Sequence, residues 1–144
     1  MRLSIIGLLT VELMEEKNSR KRLFYFTHDC NMRHSFYVKG IESSMGSLIG
    51  YSCYVMALEY LVSCPGNSMP LDNPNVANTI GIPIGLYNVL NSTAISVGAF
   101  YLDDYGMVRS KYVDEFIDDV QRKSNRGKKG GQSKKPDLNI DTGN

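Results

Sequence analysis

From residue 3 to residue 41 the pattern of apolar and polar positions is mostly typical of extended chain, with three runs that favour β-strands. Residues 10–13 alternate strictly, residues 23–27 are dense in aromatic side chains, and residues 35–39 combine alternation with β-favouring residue types. Asp29 and Asn31 separate the last two runs, and both residue types favour turns because their side chains bond to nearby backbone. The pattern predicts a small antiparallel sheet of three strands in the N-terminal third.

Apolar residues then recur at helical spacing. Ser43 and Ser44 are suitable N-caps for a helix that runs to about residue 63, and Pro65 followed by Gly66 would end it. Because the other faces of this helix are also small or apolar, we predict that one of them is covered by another subunit or partner. The predicted interface stripe consists of Leu48, Tyr51, Val55, Leu58 and Val62.

The next segment is rich in proline and asparagine, so residues 65–79 are expected to form a loop. Residues 81–85 contain too much glycine and proline for a helix interior. Residues 93–102 are small and β-branched enough for a strand, and their composition also permits a helix, so both alternatives stay open. Asp103 and Asp104 would end the apolar segment before the last helix.

The last helix shows a clear amphipathic pattern. Ser110 can cap its N-terminus, and Val113, Phe116, Ile117 and Val120 fall on one side. Acidic residues occupy its first turns and basic residues its end near residue 123, as the helix dipole favours. We therefore predict a helix that packs on the core through this apolar side.

Together these elements predict an α+β fold in which the small antiparallel sheet from the N-terminal third is covered by two helices. Residues 1–123 would form a single compact domain, which is long enough to bury a sizeable core. Residues 124–144 change to glycine, serine, lysine, asparagine and aspartate without periodicity. Because such a segment cannot bury enough apolar surface to fold, we predict a disordered basic C-terminal tail.

Composition indicates a globular chain from a reducing compartment. The 144 residues are 42% hydrophobic and contain three cysteines, Cys30, Cys53 and Cys64, without the spacing of a disulfide framework. Arg2 and the apolar residues 3–11 imitate a signal peptide, but no small-x-small cleavage site follows them. We therefore expect a cytoplasmic protein whose first apolar run belongs to the domain.

The distribution of charge changes this picture. Lysine and arginine are absent from residues 40–108, in a chain of which 22% is charged. Residues 46–64 and 80–102 could therefore span a membrane as a helical hairpin with both basic ends in the cytoplasm. Glu59 would cost about 2.5–3.5 kcal/mol near the centre of the first span, and the second span holds Pro83 and several polar residues. We prefer the interior of a compact domain and retain the membrane hairpin as the alternative.

The C-terminal segment contains a cluster of cationic residues that can neutralise phosphates and gain affinity from the release of counterions. No aromatic residues lie between them on which bases could stack, so binding would be electrostatic and without sequence preference. The acidic partner could be RNA, DNA or lipid headgroups, and a solvated tail without a partner is the alternative. The cluster consists of Arg126, Lys128, Lys129, Lys134 and Lys135.

Both histidines and one cysteine lie within seven residues, at His28, Cys30 and His34. Imidazole and thiolate are preferred zinc ligands, and Cys53 or Cys64 could complete a tetrahedral site. Their spacing matches no ligand pattern, so the trio is a weak metal candidate. We predict no cofactor, and the sequence identifies no small-molecule substrate. A Cys–His nucleophile would need an orienting group that the sequence does not reveal. The sequence favours a non-enzymatic binding or assembly protein that is oligomeric or part of a complex.

Overall fold

The structure is a computed structural model that describes residue 23 and residues 25–133. This part of the chain contains five α-helices, two short 3₁₀ helices and one two-stranded antiparallel sheet, so the predicted α+β class is confirmed. The α-helices and strands are α1 (Phe36–Met45), α2 (Ser47–Ser63), α3 (Pro74–Ile80), α4 (Ile84–Val97), β1 (Phe100–Leu102), β2 (Val108–Ser110) and α5 (Lys111–Ser133).

The sheet lies near the C-terminal end of the described residues and not in the N-terminal third. Strand β1 pairs with β2 in antiparallel register, from Phe100 opposite Ser110 to Leu102 opposite Val108. On the other edge of β2, an isolated antiparallel bridge joins Val108 to Met69. The strand predicted at residues 10–13 lies outside the described residues.

The strand predicted at residues 35–39 is wrong, because this segment starts helix α1. The Ser35 hydroxyl accepts a hydrogen bond of 3.3 Å from the Val38 amide and so caps the helix. Val38 and Ile41 are fully buried at a spacing of three residues. Over five residues, two-residue alternation and helical spacing are difficult to distinguish, and both the serine cap and the burial of Val38 and Ile41 favour the helix.

A one-residue break at Gly46 separates α1 from α2. Gly46 adopts φ 87° and ψ 149°, a backbone conformation that is essentially restricted to glycine. Ser43 and Ser44 therefore lie in the last turn of α1, and their predicted role as N-caps is wrong. The predicted end of the second helix at residue 63 is confirmed.

Helices α1, α2 and α4 form the centre of the molecule and approach one another closely at glycine positions. A Cβ atom added at Gly40 would lie 2.5 Å from Cγ1 of Val97 in α4. A Cβ atom at Gly50 would lie 3.1 Å from the Cα of Glu42 in α1. The core between the helices includes Val38, Ile41, Leu58, Leu61, Leu90 and Ala94.

Residues 65–79 and residues 93–102, for which the sequence predicts a loop and either a strand or a helix, both contain helix in the structure. The predicted loop at 65–79 holds most of helix α3, which begins at Pro74 and is capped by the Asn73 side chain at 3.1 Å from the Val76 amide. Helix α4 ends at Val97, and Gly98 in the left-handed conformation precedes strand β1. Residues 93–102 are therefore partly helix and partly strand.

Helix α5 begins as predicted and is longer than predicted. The Ser110 hydroxyl accepts a hydrogen bond of 3.3 Å from the Val113 amide, and Val113 and Phe116 are buried. The helix continues through residues 124–133, where a disordered tail was expected. Extending an existing helix costs little because each added residue gains one hydrogen bond. The predicted tail at 134–144 lies outside the described residues.

Candidate functional site

The second part of α5 carries exposed cationic side chains. We name residues 121–133 the basic arm. The described side chains of the arm, from residue 121 to residue 129, are all exposed. Of the predicted cluster, Arg126, Lys128 and Lys129 lie here, whereas Lys134 and Lys135 lie outside the described residues. Exposure on a helix lets these cations reach an acidic partner without rearrangement of the core.

The helix orders the cations of the basic arm. Arg122, Arg126 and Lys129 follow one another at intervals of four and three residues and therefore share one face, while Lys128 lies on another. Lys123 instead pairs with Asp119 one turn earlier, at 3.0 Å. No acidic residue occurs between Asp119 and Asp137, so the charge of the arm is uncompensated along the chain. The arm is a short stretch of concentrated positive charge.

The predicted metal trio does not assemble. His28 shares a hydrogen bond of 2.8 Å with the Tyr51 hydroxyl and stacks against Phe26. Among the described residues, no group of three His, Cys, Asp or Glu side chains could hold a metal ion. His28, Cys30 and His34 therefore do not belong to such a group.

The predicted interface stripe divides between the core and the surface. Leu58 and Val62 are 0% and 2% exposed and belong to the core of the chain itself. Tyr51 and Val55 are half-buried, and the Tyr51 ring lies 5.7 Å from the Arg33 guanidinium. Leu48 is 79% exposed. Helix α2 is covered largely from within the chain, because α1, α4 and α5 all pack on it.

A cavity that the sequence did not indicate lies between the start of α1, the middle of α2 and the first turns of α5. Its volume is about 270 Å³. The polar residues around it come from distant parts of the sequence, and no local motif announces them. They include Asp29, Tyr37, Tyr54, Lys111, Tyr112 and Glu115.

Tyr112 fixes one wall of this cavity. Its hydroxyl donates a hydrogen bond to the Thr27 carbonyl at 2.5 Å and accepts one from the Asp29 amide at 3.2 Å. The Phe26 ring meets the Tyr112 ring edge-on, with centroids 6.2 Å apart. These contacts attach the segment before α1 to helix α5.

Tyr54 forms the floor of the cavity. The residue is 3% exposed, and its ring packs on Phe100 with centroids 5.8 Å apart. Burial raises the pKa of the Tyr54 hydroxyl well above its usual range, and the nearby Tyr112 and Tyr37 raise it further. The hydroxyl therefore stays protonated, able both to donate and to accept a hydrogen bond.

The hairpin between β1 and β2 holds a second polar cluster with a structural role. Asp103 accepts a hydrogen bond of 2.9 Å from Nε of Arg109, and its other oxygen accepts from the backbone amides of Tyr105 and Met107. The Arg109 bond, followed by the backbone bonds, lowers the pKa of Asp103. A hydrogen bond to Asp114 raises the pKa of Tyr101 to about 12. These bonds fix the turn and connect it to α5.

Asn91 is a buried polar residue in the core. It is 1% exposed, and neither polar atom of its amide has a hydrogen-bond partner among the described residues. The neighbouring Tyr87 hydroxyl donates to the Pro70 carbonyl. Burial raises the pKa of Tyr87, and the nearby Asn91 amide partly opposes this rise.

The predicted membrane spans do not correspond to single helices of sufficient length. Within the described part of the chain, no single helix is long and apolar enough to cross a membrane. Helices α3 and α4 meet the criteria of length and composition only as a pair, which is bent by 93°. The predicted span at 46–64 contains α2, and the span at 80–102 contains α4 and strand β1.

Comparison of the chain with protein-family models, with curated proteins and with solved structures finds no match. The function must therefore be argued from the geometry of this molecule alone.

Proposed function

We propose that the protein is a non-enzymatic binding or assembly protein whose basic arm contacts an acidic polymer such as RNA. The observation that carries this proposal is the exposed row of Arg122, Arg126 and Lys129 on one face of α5. A row of cations along a helix gains binding free energy from the release of counterions. The arm lacks aromatic residues, so the contact would follow charge and not base sequence.

The direct test is the salt dependence of binding to a single-stranded RNA oligonucleotide, measured by fluorescence anisotropy with the full chain. Exchange of Arg126 and Lys129 for glutamine removes two cations from the shared face. We expect weaker binding and a slope of log K against log salt that is smaller by roughly 1.4.

The matched control removes the same charge from other faces of the arm, by Lys123→Gln together with Lys128→Gln. If the control loses less RNA affinity than the Arg126 and Lys129 double variant, the result supports recognition by one helical face. If both variants lose the same affinity, the charge of the arm alone determines binding. RNA binding that is unchanged in both double variants, or absent in the unaltered chain, would reject the proposal.

The proposal also includes association of the chain with a protein partner or with a second copy of itself. Leu48 and Ile49, in the first turn of α2, are 79% and 48% exposed and lie beside the Gly46 break. An apolar pair of this kind can be covered by association. Light scattering of the chain and of a Leu48→Ser variant tests this, because a change of mass on substitution is expected only if Leu48 contributes to an interface.

The membrane hairpin remains the competing hypothesis, and its support is the absence of lysine and arginine between residues 40 and 108. Alkaline carbonate extraction of a cell fraction separates the two hypotheses. Release of the chain into the supernatant argues against the hairpin, and retention in the pellet argues against the proposal above.

A further inference from the structure

The cavity beside the first turns of α5 has the size of a site for a small metabolite. Its volume of about 270 Å³ is just below the range of about 300–1,000 Å³ that is typical of small-molecule pockets. A space of this size favours a compact molecule with few non-hydrogen atoms.

The floor of the cavity presents a hydroxyl that is ready for a ligand. Tyr54 is 3% exposed, and its hydroxyl makes no hydrogen bond within the described part of the chain. Tyr37, Tyr54 and Tyr112 all line the cavity, so the three side chains surround the same space. The hydroxyl keeps some exposure, in contrast to the fully buried Asn91 amide, so a polar ligand in the cavity can form a hydrogen bond with it.

The charged groups around the cavity have both signs. Lys111 supplies an ammonium group, whose Nζ lies 3.7 Å from a Cβ built at Gly98, as does Cε1 of Tyr37. Asp29 and Glu115 supply two carboxylates. Lys111 and Glu115 are separated by one helical turn and yet form no ion pair in the described structure, nor does either pair with Asp29. The ammonium and both carboxylates are thus without an ion-pair partner among the described residues, while Oδ1 of Asp29 accepts a hydrogen bond of 2.8 Å from the Asn31 amide.

We propose that this cavity binds a free α-amino acid as a zwitterion. The ligand carboxylate would lie near the Lys111 ammonium and accept a hydrogen bond from the Tyr54 hydroxyl, and the ligand ammonium would face Glu115 and Asp29.

Ligands with a single charge fit these groups less well. A simple organic anion would meet the two carboxylates, and a simple organic cation would meet the Lys111 ammonium. Like charges placed together disfavour binding, so the cavity discriminates against both classes. A zwitterion satisfies both signs at once.

The test uses the purified full chain and each proteinogenic L-amino acid in turn, with saturation-transfer difference NMR followed by calorimetric titration. We expect binding of at least one amino acid. The Tyr54→Phe variant should weaken it by about tenfold or more, because one hydrogen bond to a charged group is lost. The Lys111→Met variant should weaken it similarly. The N-acetyl and carboxamide derivatives, each of which lacks one charge, should bind at least tenfold more weakly than the parent.

Tyr60→Phe is the matched control, because Tyr60 is half-buried on the same helix and does not line this cavity. It should bind the amino acid as the unaltered chain does, and thermal melting verifies that each variant is folded. Absence of binding by every amino acid overturns the proposal. Undiminished binding by folded Tyr54→Phe, or equal binding of the singly charged derivatives, also overturns it. Because the site is independent of the basic arm, glutamine substitutions at Arg126 and Lys129 should leave this binding unchanged.

Discussion

The two halves of helix α5 are continuous in backbone and differ in what stabilises them. In residues 111–120, Val113 and Phe116 are buried against the core and Ser110 caps the first turn. In the basic arm, the described side chains are exposed and contact no core residue, so the helix there depends on its own hydrogen bonds and local charge pairs. The first half is therefore part of the fold, whereas the second half is a surface extension. Substitutions in the two halves should have different consequences.

The largest effect is expected for Phe116→Ala. Loss of this buried ring, which also meets Tyr25 edge-on, should lower the free energy of unfolding by about 3 kcal/mol. Arg126→Ala in the basic arm should change it by less than about 0.5 kcal/mol. Urea denaturation followed by circular dichroism measures both. Equal losses of unfolding free energy in Phe116→Ala and Arg126→Ala would show that the basic arm unfolds cooperatively with the core.

Removal of the N-cap should have the next largest effect. Ser110→Ala deletes the acceptor for the Val113 amide and should cost about 1 kcal/mol of stability. Ser124→Ala, which alters a serine inside the same helix but away from its N-terminus, is the matched control and should be close to neutral. If Ser110→Ala and Ser124→Ala have the same melting temperature, the stability of the first turn does not depend on its cap.

Glycine substitution addresses the basic arm directly. A Cβ atom at Gly127 would meet no other atom within 4 Å, so Gly127→Ala should favour the arm helix by about 0.8 kcal/mol locally without moving the global melting temperature. Hydrogen exchange of the arm amides would report this as slower exchange. Gly40→Ala should instead destabilise the core, since its Cβ would lie 2.5 Å from Val97. A rise in the melting temperature of Gly127→Ala would contradict the separation of the two halves.

The smallest effect is expected for the pH dependence of stability that arises from the β1–β2 hairpin, which precedes the first half of α5. The pKa of Asp103 is lowered below its ordinary value of 3.8, chiefly by the hydrogen bond from Arg109. The stabilisation by Asp103 is therefore fully present above that value and is lost as the pH falls through the depressed pKa. Denaturation at several acidic pH values should show this loss in the unaltered chain and its absence in Asp103→Asn. The effect should be small because the pair is partly exposed.

Several elements could be predicted from sequence because local signals agreed there. The start of α5 combines a serine cap with apolar residues at helical spacing, and the end of α2 is marked by Pro65 and Gly66. The exposure of Arg126, Lys128 and Lys129 also followed from composition. In each case one short window contained the physical cause of the structure.

The remaining features depend on contacts between distant residues. Residues 35–39 form a helix because Val38 and Ile41 pack in the core, and five residues of alternation could not reveal this. The cavity joins Asp29 and Tyr54 to Glu115, which no local pattern connects. The burial of Leu58 and Val62 likewise required knowledge of α1, α4 and α5.

The hydrogen bond from Tyr112 to Thr27 has a consequence for synthesis of the chain. The two residues are 85 positions apart, so the segment around Thr27 leaves the ribosome long before its partner is made. At about 5–20 residues per second, the delay is roughly 4–17 s. During that interval Tyr25 and Phe26 lack the rings of Phe116 and Tyr112 that pack on them in the finished molecule. The nascent chain therefore presents an aromatic segment to chaperones until its C-terminal helix arrives.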